Sequence, residues 1–84
     1  MGYEEIFEPI EVITHFQAGK VNPLRFRWNT RVYKVNNIQS RWSERLGAAQ
    51  QIHYSILTDD SNCFELIFNT EDLNWQLARV YLDG

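Results

Sequence analysis

A single cysteine, Cys63, stands among the 84 residues. No disulfide can form within the sequence, and a cysteine-rich zinc site is excluded. There are two histidines, His15 and His53, and neither has an HxH, HxxxH or HExxH partner. Local metal-ligand spacing is therefore missing. The four glycines lie apart, at positions 2, 19, 47 and 84, so no glycine-rich phosphate loop exists. No apolar run approaches the roughly 18 residues that span a bilayer. The opening "MGYEEIFEPIEVI" carries acids where a signal peptide carries bases, and "GYEEI" lacks the Ser or Thr of a myristoylation signal. The expectation is a soluble cytoplasmic protein with no membrane partner and no cofactor. Helical periodicity is scarce too. Only "QSRWSERLGAAQ" has helical character, and Gly47 interrupts it, so residues 40–50 are expected to form a long loop with at most one helical turn.

Aromatics and period-two alternation are what the chain does have. Five Phe, four Tyr and three Trp sit in a composition that is 44% apolar. Aromatics favour strands and bury a large area each, which suits a small domain short of core. Alternation marks strands at "IEVITHFQ" (10–17), "LRFRW" (24–28), "RVYKVNNI" (31–38), "QIHYSIL" (51–57), "CFELIF" (63–68) and "WQLARVYL" (75–82). "AGK", "NP", "NT", "TDDSN" and "NTEDLN" break them.

Short turns make sequential antiparallel pairing the simplest topology. Residues 1–84 are thus read as one all-β domain: a single antiparallel sheet of about six strands, a meander curled toward a small, partly open barrel. Curling follows from the two edges a flat meander would leave and from apolar residues on both faces at Val32, Leu57, Ile67, Val80 and Leu82. Phe26, Tyr33, Tyr54, Phe64, Leu66, Phe68, Trp75 and Leu77 share the apolar parity of their strands and form the expected core.

Charge is unevenly distributed. Residues 1–19 hold four acids and no Lys or Arg; residues 20–45 hold seven bases against Glu44; residues 46–84 hold six acids against Arg79. The basic segment contains "RFRWNTRVYKV", Arg25 to Val35. A two-residue "NT" turn places Trp28 opposite Arg31, Phe26 opposite Tyr33, Leu24 opposite Val35, Arg27 opposite Val32 and Arg25 opposite Lys34. Like charges facing each other are destabilising. Either an acid from a neighbouring strand neutralises them, with Glu65 in "CFELIF" as the candidate, or an anion binds there.

Three blocks, "PLRFRWNTRVYKVNNIQSRW", "HYSILTDDSNCFELIF" and "WQLARVYLDG", resemble a family of small uncharacterised bacterial β domains. The family pattern runs R-F-x-W-x-G-R-x-Y-x-V, then R-W, then a tyrosine strand ending T-D-D, then F-E-L, then W-x-L-x-R-V. The resemblance covers roughly residues 23–84 and leaves residues 1–22 outside. Thr30 stands where the family often has glycine. The resemblance implies a compact β domain without an assigned activity, some of whose relatives occur in DNA-repair and error-prone-polymerase contexts.

Few residues offer catalysis. Cys63 reads as a small, partly buried hydrophobe. A Cys63–His53 nucleophilic pair requires the "TDDSN" hairpin to set the two side by side. Asp59 and Asp60 read as turn acids, too few for an EF-hand loop. The expectation is a non-enzymatic binding or accessory module. It uses a basic face of Arg25, Arg27, Lys34, Arg41 and Arg45, with Trp28 and Trp42 as aromatic candidates, against an acidic protein partner. The alternative is a nucleic-acid contact module, since arginines interleaved with aromatics serve both kinds of surface. Net negative charge weighs against the alternative.

Overall fold

In the computed structural model, which describes residues 2–82, six strands follow one another with no helix among the described residues: β1 Gly2–Gln17, β2 Lys20–Trp28, β3 Arg31–Leu46, β4 Ala49–Thr58, β5 Cys63–Asn69 and β6 Asn74–Leu82. Each pairs antiparallel with the next, as the alternation predicts. β1 also pairs with β6, so the sheet closes on itself and the two edges of a flat meander disappear.

Closure depends on two long strands that each serve two neighbours. Gly2–Ile10 of β1 pairs with β6, and Glu11–Gln17 pairs with β2. The ladder slips between Glu5 and Glu8, where Phe7 has a φ of 51°. Such a bulge bends a strand and increases its twist. In β3, Arg31–Lys34 pairs with β2, and Val35–Leu46 pairs with β4 across slips at Val35/Asn37 and Ile38/Ser40. The β2–β3 seam is therefore only four residue pairs long, and above Arg25 and Lys34 the two strands part.

Inside the ring lie Phe26, Tyr54, Ile56, Phe64, Leu66, Phe68, Trp75 and Leu77, with Tyr33 half-buried against them. Seven of the eight residues expected from strand parity are in this core; Tyr33 is only half-buried, and Ile56 takes a fully buried place the expectation did not give it. Phe64 sits at the centre of the core, its ring centroid 5.3 Å from Phe26 and 5.0 Å from Tyr33 in edge-on contacts. Aromatic pairs favour that geometry.

Three expectations are corrected. The first strand begins at Gly2 rather than Ile10. β2 begins at Lys20 and runs through "NP": Pro23 is buried opposite Thr14, and Leu24 is the extra residue between the pairs Thr14–Pro23 and Ile13–Arg25. Proline is tolerated at a bulge because no ladder N–H is needed there. The bulge turns Leu24 outward, 46% exposed, so it neither faces Val35 nor joins the core. Finally, residues 40–50 are not a loop. β3 runs to Leu46, the chain turns through Gly47 (φ 64°) and Ala48, and β4 starts at Ala49. This hairpin end is exposed from Gln39 to Leu46 and, apart from Trp42 and Leu46, polar on both faces, so it left no apolar alternation to read.

The Asn29–Thr30 turn brings both residues to positive φ, 52° and 63°. That is the mirror-image two-residue turn matching strand twist. A β-branched threonine occupies the left-handed position that glycine would fill without strain.

Candidate functional site

The hairpin register is the one the sequence predicts: Arg25 opposite Lys34, Phe26 opposite Tyr33, Arg27 opposite Val32 and Trp28 opposite Arg31. β1 adds a third column, with Ile13 beside Arg25 and Glu11 beside Arg27. The outer face of β1–β2–β3 is thus a grid of two rows, Ile13–Arg25–Lys34 and Glu11–Arg27–Val32. Ile13 and Val32 are 62% and 56% exposed. A shallow hollow of about 180 Å³ lies against Glu11, Ile13, Arg25, Arg27 and Val32.

Glu65 is not the neutralising acid. Arg27 reaches Glu11 at 3.6 Å, and Lys34 reaches Asp59 at 4.0 Å. Arg31 meets Asp60 at 2.6 Å. Asp59 and Asp60 belong to the β4–β5 turn, which folds back onto β3 through the hydrogen bond from Asp59 N–H to the Lys34 carbonyl. Thr58 donates its hydroxyl to Asp60. That bond first, with the Arg31 guanidinium also contributing, holds the Asp60 carboxyl below the ordinary aspartate range against some desolvation. Arg25, Arg41, Arg45 and Lys20 make no ion pair among the described residues.

The predicted basic residues fall into two groups. Arg25, Arg27 and Lys34 share the grid. Arg41 and Arg45 lie on the continuation of β3 that pairs with β4, opposite Tyr54 and Gln50. Arg41 rests over the Tyr54 ring at 5.7 Å, and Tyr54 in turn donates its hydroxyl to the Val21 carbonyl of β2. Neither tryptophan is a freely displayed platform. Trp28 is half-buried against Tyr33 and Phe64, and its indole N–H donates to Glu8 at 3.1 Å. Trp42 lies stacked on His53, centroids 5.2 Å apart and planes 17° apart, while remaining 38% exposed.

A second constellation was missed, on the outer face of β4, β5 and β6. Glu65 is 2% exposed there. Arg79 Nη1 bridges both carboxylate oxygens at 3.0 and 2.9 Å, the Tyr81 hydroxyl donates at 3.1 Å, and His53 Nδ1 lies 3.1 Å away. Arg79 also reaches Glu5 at 3.4 Å and lies between the rings of Tyr3 and Phe7, at 5.4 and 5.6 Å. Burial works against the Arg79 charge, but Glu65 and Glu5 outweigh it and hold its pKa above the ordinary arginine range. Burial and the neighbouring Glu65 both raise the Tyr81 phenol. The sequence signal was slight: Glu65 in an apolar strand and Arg79 alone among acids.

The acceptor capacity of Glu65 is taken up by Arg79 and Tyr81 from β6 and His53 from β4, which satisfies a buried charge. His53 Nε2 is buried without a hydrogen bond, its nearest carboxylate being Glu44 at 3.8 Å beneath Trp42. Cys63 lies opposite Leu57, while His53 lies opposite Ile67, so the hairpin does not set Cys63 beside His53. His15 sits opposite Asn22 on another ladder. Among the described residues no group of three or more His, Cys, Asp or Glu is placed to hold a metal. No family model, curated protein or solved structure matches this chain.

Proposed function

We propose that the chain is a non-enzymatic interaction module whose basic surface receives an acidic protein partner. The observation that supports this reading is the make-up of the outer grid, where two exposed aliphatics, Ile13 and Val32, flank the central pair Arg25 and Arg27. Protein interfaces combine apolar contact with arginine in this way. A surface for a nucleic-acid backbone would be more uniformly basic and would offer bare aromatics for stacking. Here Glu11 and Asp59 lie among the bases, and Trp28 is turned toward the core. The alternative, a nucleic-acid contact module of the kind the family resemblance implies near DNA repair, draws its support from Arg25, Arg41 and Arg45, which make no ion pair among the described residues.

Arg25→Gln, Arg27→Gln and Lys34→Gln combined test the reading in a pull-down from the native host. Wild type should retain a protein carrying an acidic run, and the triple variant, folded by circular dichroism, should release it. A partner retained equally by both, or a catch consisting of nucleic acid removed by nuclease, would overturn it.

A further inference from the structure

Among the described residues, β3 beyond Lys34 has a strand on one side only. The β2–β3 ladder ends at Arg25 and Lys34, and from Val35 to Leu46 β3 pairs with β4 alone. Edges of this kind present unpaired N–H and C=O groups, and natural proteins blunt them with proline, bulges or charge. The facing part of β2 is blunted by Pro23 and its bulge. The lower part of the β3 edge is blunted by the two slips around Asn36 and Gln39. From Ser40 to Leu46 the register with Ala49–Ser55 is regular, and every residue of Ser40–Leu46 is exposed. This stretch has neither proline nor bulge, and its only guard is the charge of Arg41, Glu44 and Arg45, which limits what can add to it.

Its side chains say what fits. Arg41, Ser43 and Arg45 lie on one face and Trp42 and Glu44 on the other, because strand side chains alternate. Arg41 and Arg45 make no ion pair among the described residues. An added antiparallel strand therefore meets two cations at alternate positions of one face. A second copy of this chain is a poor occupant: the register that pairs the full Ser40–Leu46 stretch with itself sets Arg41 opposite Arg45 twice, and like charges facing each other destabilise a sheet.

We infer that the β3 edge Ser40–Leu46 is a strand-addition site for an extended segment of a partner protein with acidic residues at alternate positions. Main-chain hydrogen bonds to the edge hold such a segment, and Arg41 and Arg45 select its charge. The inference rests on the reading of the chain as a module for an acidic partner, and it supplies the mode of contact.

The probe is a short capped peptide alternating glutamate with threonine. Its counterpart has the same sequence with N-methylated backbone, which keeps the charge and removes the strand hydrogen bonds. Amide NMR titration and hydrogen exchange on the intact chain give the readout. The unmodified peptide should shift and protect amides within Ser40–Leu46, and the methylated one should not. Arg41→Gln with Arg45→Gln should weaken binding about five- to tenfold, since each exposed ion pair contributes a few-fold. Equal binding of both peptides, mapped to Arg25, Arg27 and Lys34, would overturn strand addition while leaving the acidic-partner reading standing. Binding of neither would overturn both.

Discussion

Glu65 is the costliest residue to place in this chain, and its partners explain how it is kept. A buried carboxylate is tolerated only with full hydrogen bonding and an opposite charge. Arg79, Tyr81 and His53 supply these from β6 and β4. Glu65→Ala is expected to destabilise the fold by about 3 kcal/mol, the lower end for a broken buried pair. The lower end applies because Arg79 keeps 28% of its side chain in water. Chemical denaturation checks it, and an unchanged midpoint would show that the network contributes nothing. Sequence alone misassigned Glu65 because parity tells which face a residue occupies but not what a curved sheet brings over it. Parity put Glu65 outside correctly, and closure through β1 then brought Glu5, Tyr3 and Phe7 around the Arg79 that pairs with it.

Among the elements, the β2–β3 hairpin was legible from Trp28–Arg31 to Arg25–Lys34, since a two-residue turn fixes the cross-strand pairs, and it failed only at Leu24–Val35, where the bulge intervenes. The core residues were legible for the same reason: alternation assigns faces, and a small ring has one interior. The extended reach of β1 and β3 was not. Gly2–Pro9 and Ser40–Leu46 show little apolar alternation because their ladders, rather than their burial, hold them extended. The bulges at Leu24, Asn36 and Gln39 were hidden too, because a bulge has no fixed residue signature outside the glycine type. The hairpin carries a testable strain. Thr30 at a φ of 63° holds a β-branched side chain in the left-handed region. Thr30→Gly should stabilise the protein by about 0.5–1 kcal/mol, the left-handed penalty less the entropy of the added glycine. A lower melting temperature would mean that the threonine makes a compensating contact.

At the scale of the molecule, charge is segregated in sequence but interleaved in space. The acids of the first nineteen residues and of the β4–β5 turn meet the bases of β2 and β3 at Glu11–Arg27, Asp60–Arg31 and Asp59–Lys34. Exposed pairs of this sort contribute little stability. Their larger effect is to leave Arg25, Arg41 and Arg45 as the arginines without an acid among the described residues, on the grid and along the β3 edge. The most direct test of the central claim is a fluorescence-anisotropy titration at low ionic strength. It compares a labelled acidic peptide with a labelled single-stranded thymidine oligonucleotide of equal formal charge. The peptide should bind saturably and the oligonucleotide should not; saturable oligonucleotide binding with a log–log salt slope of about −2 to −4, the signature of three or more neutralised phosphates, would contradict the account.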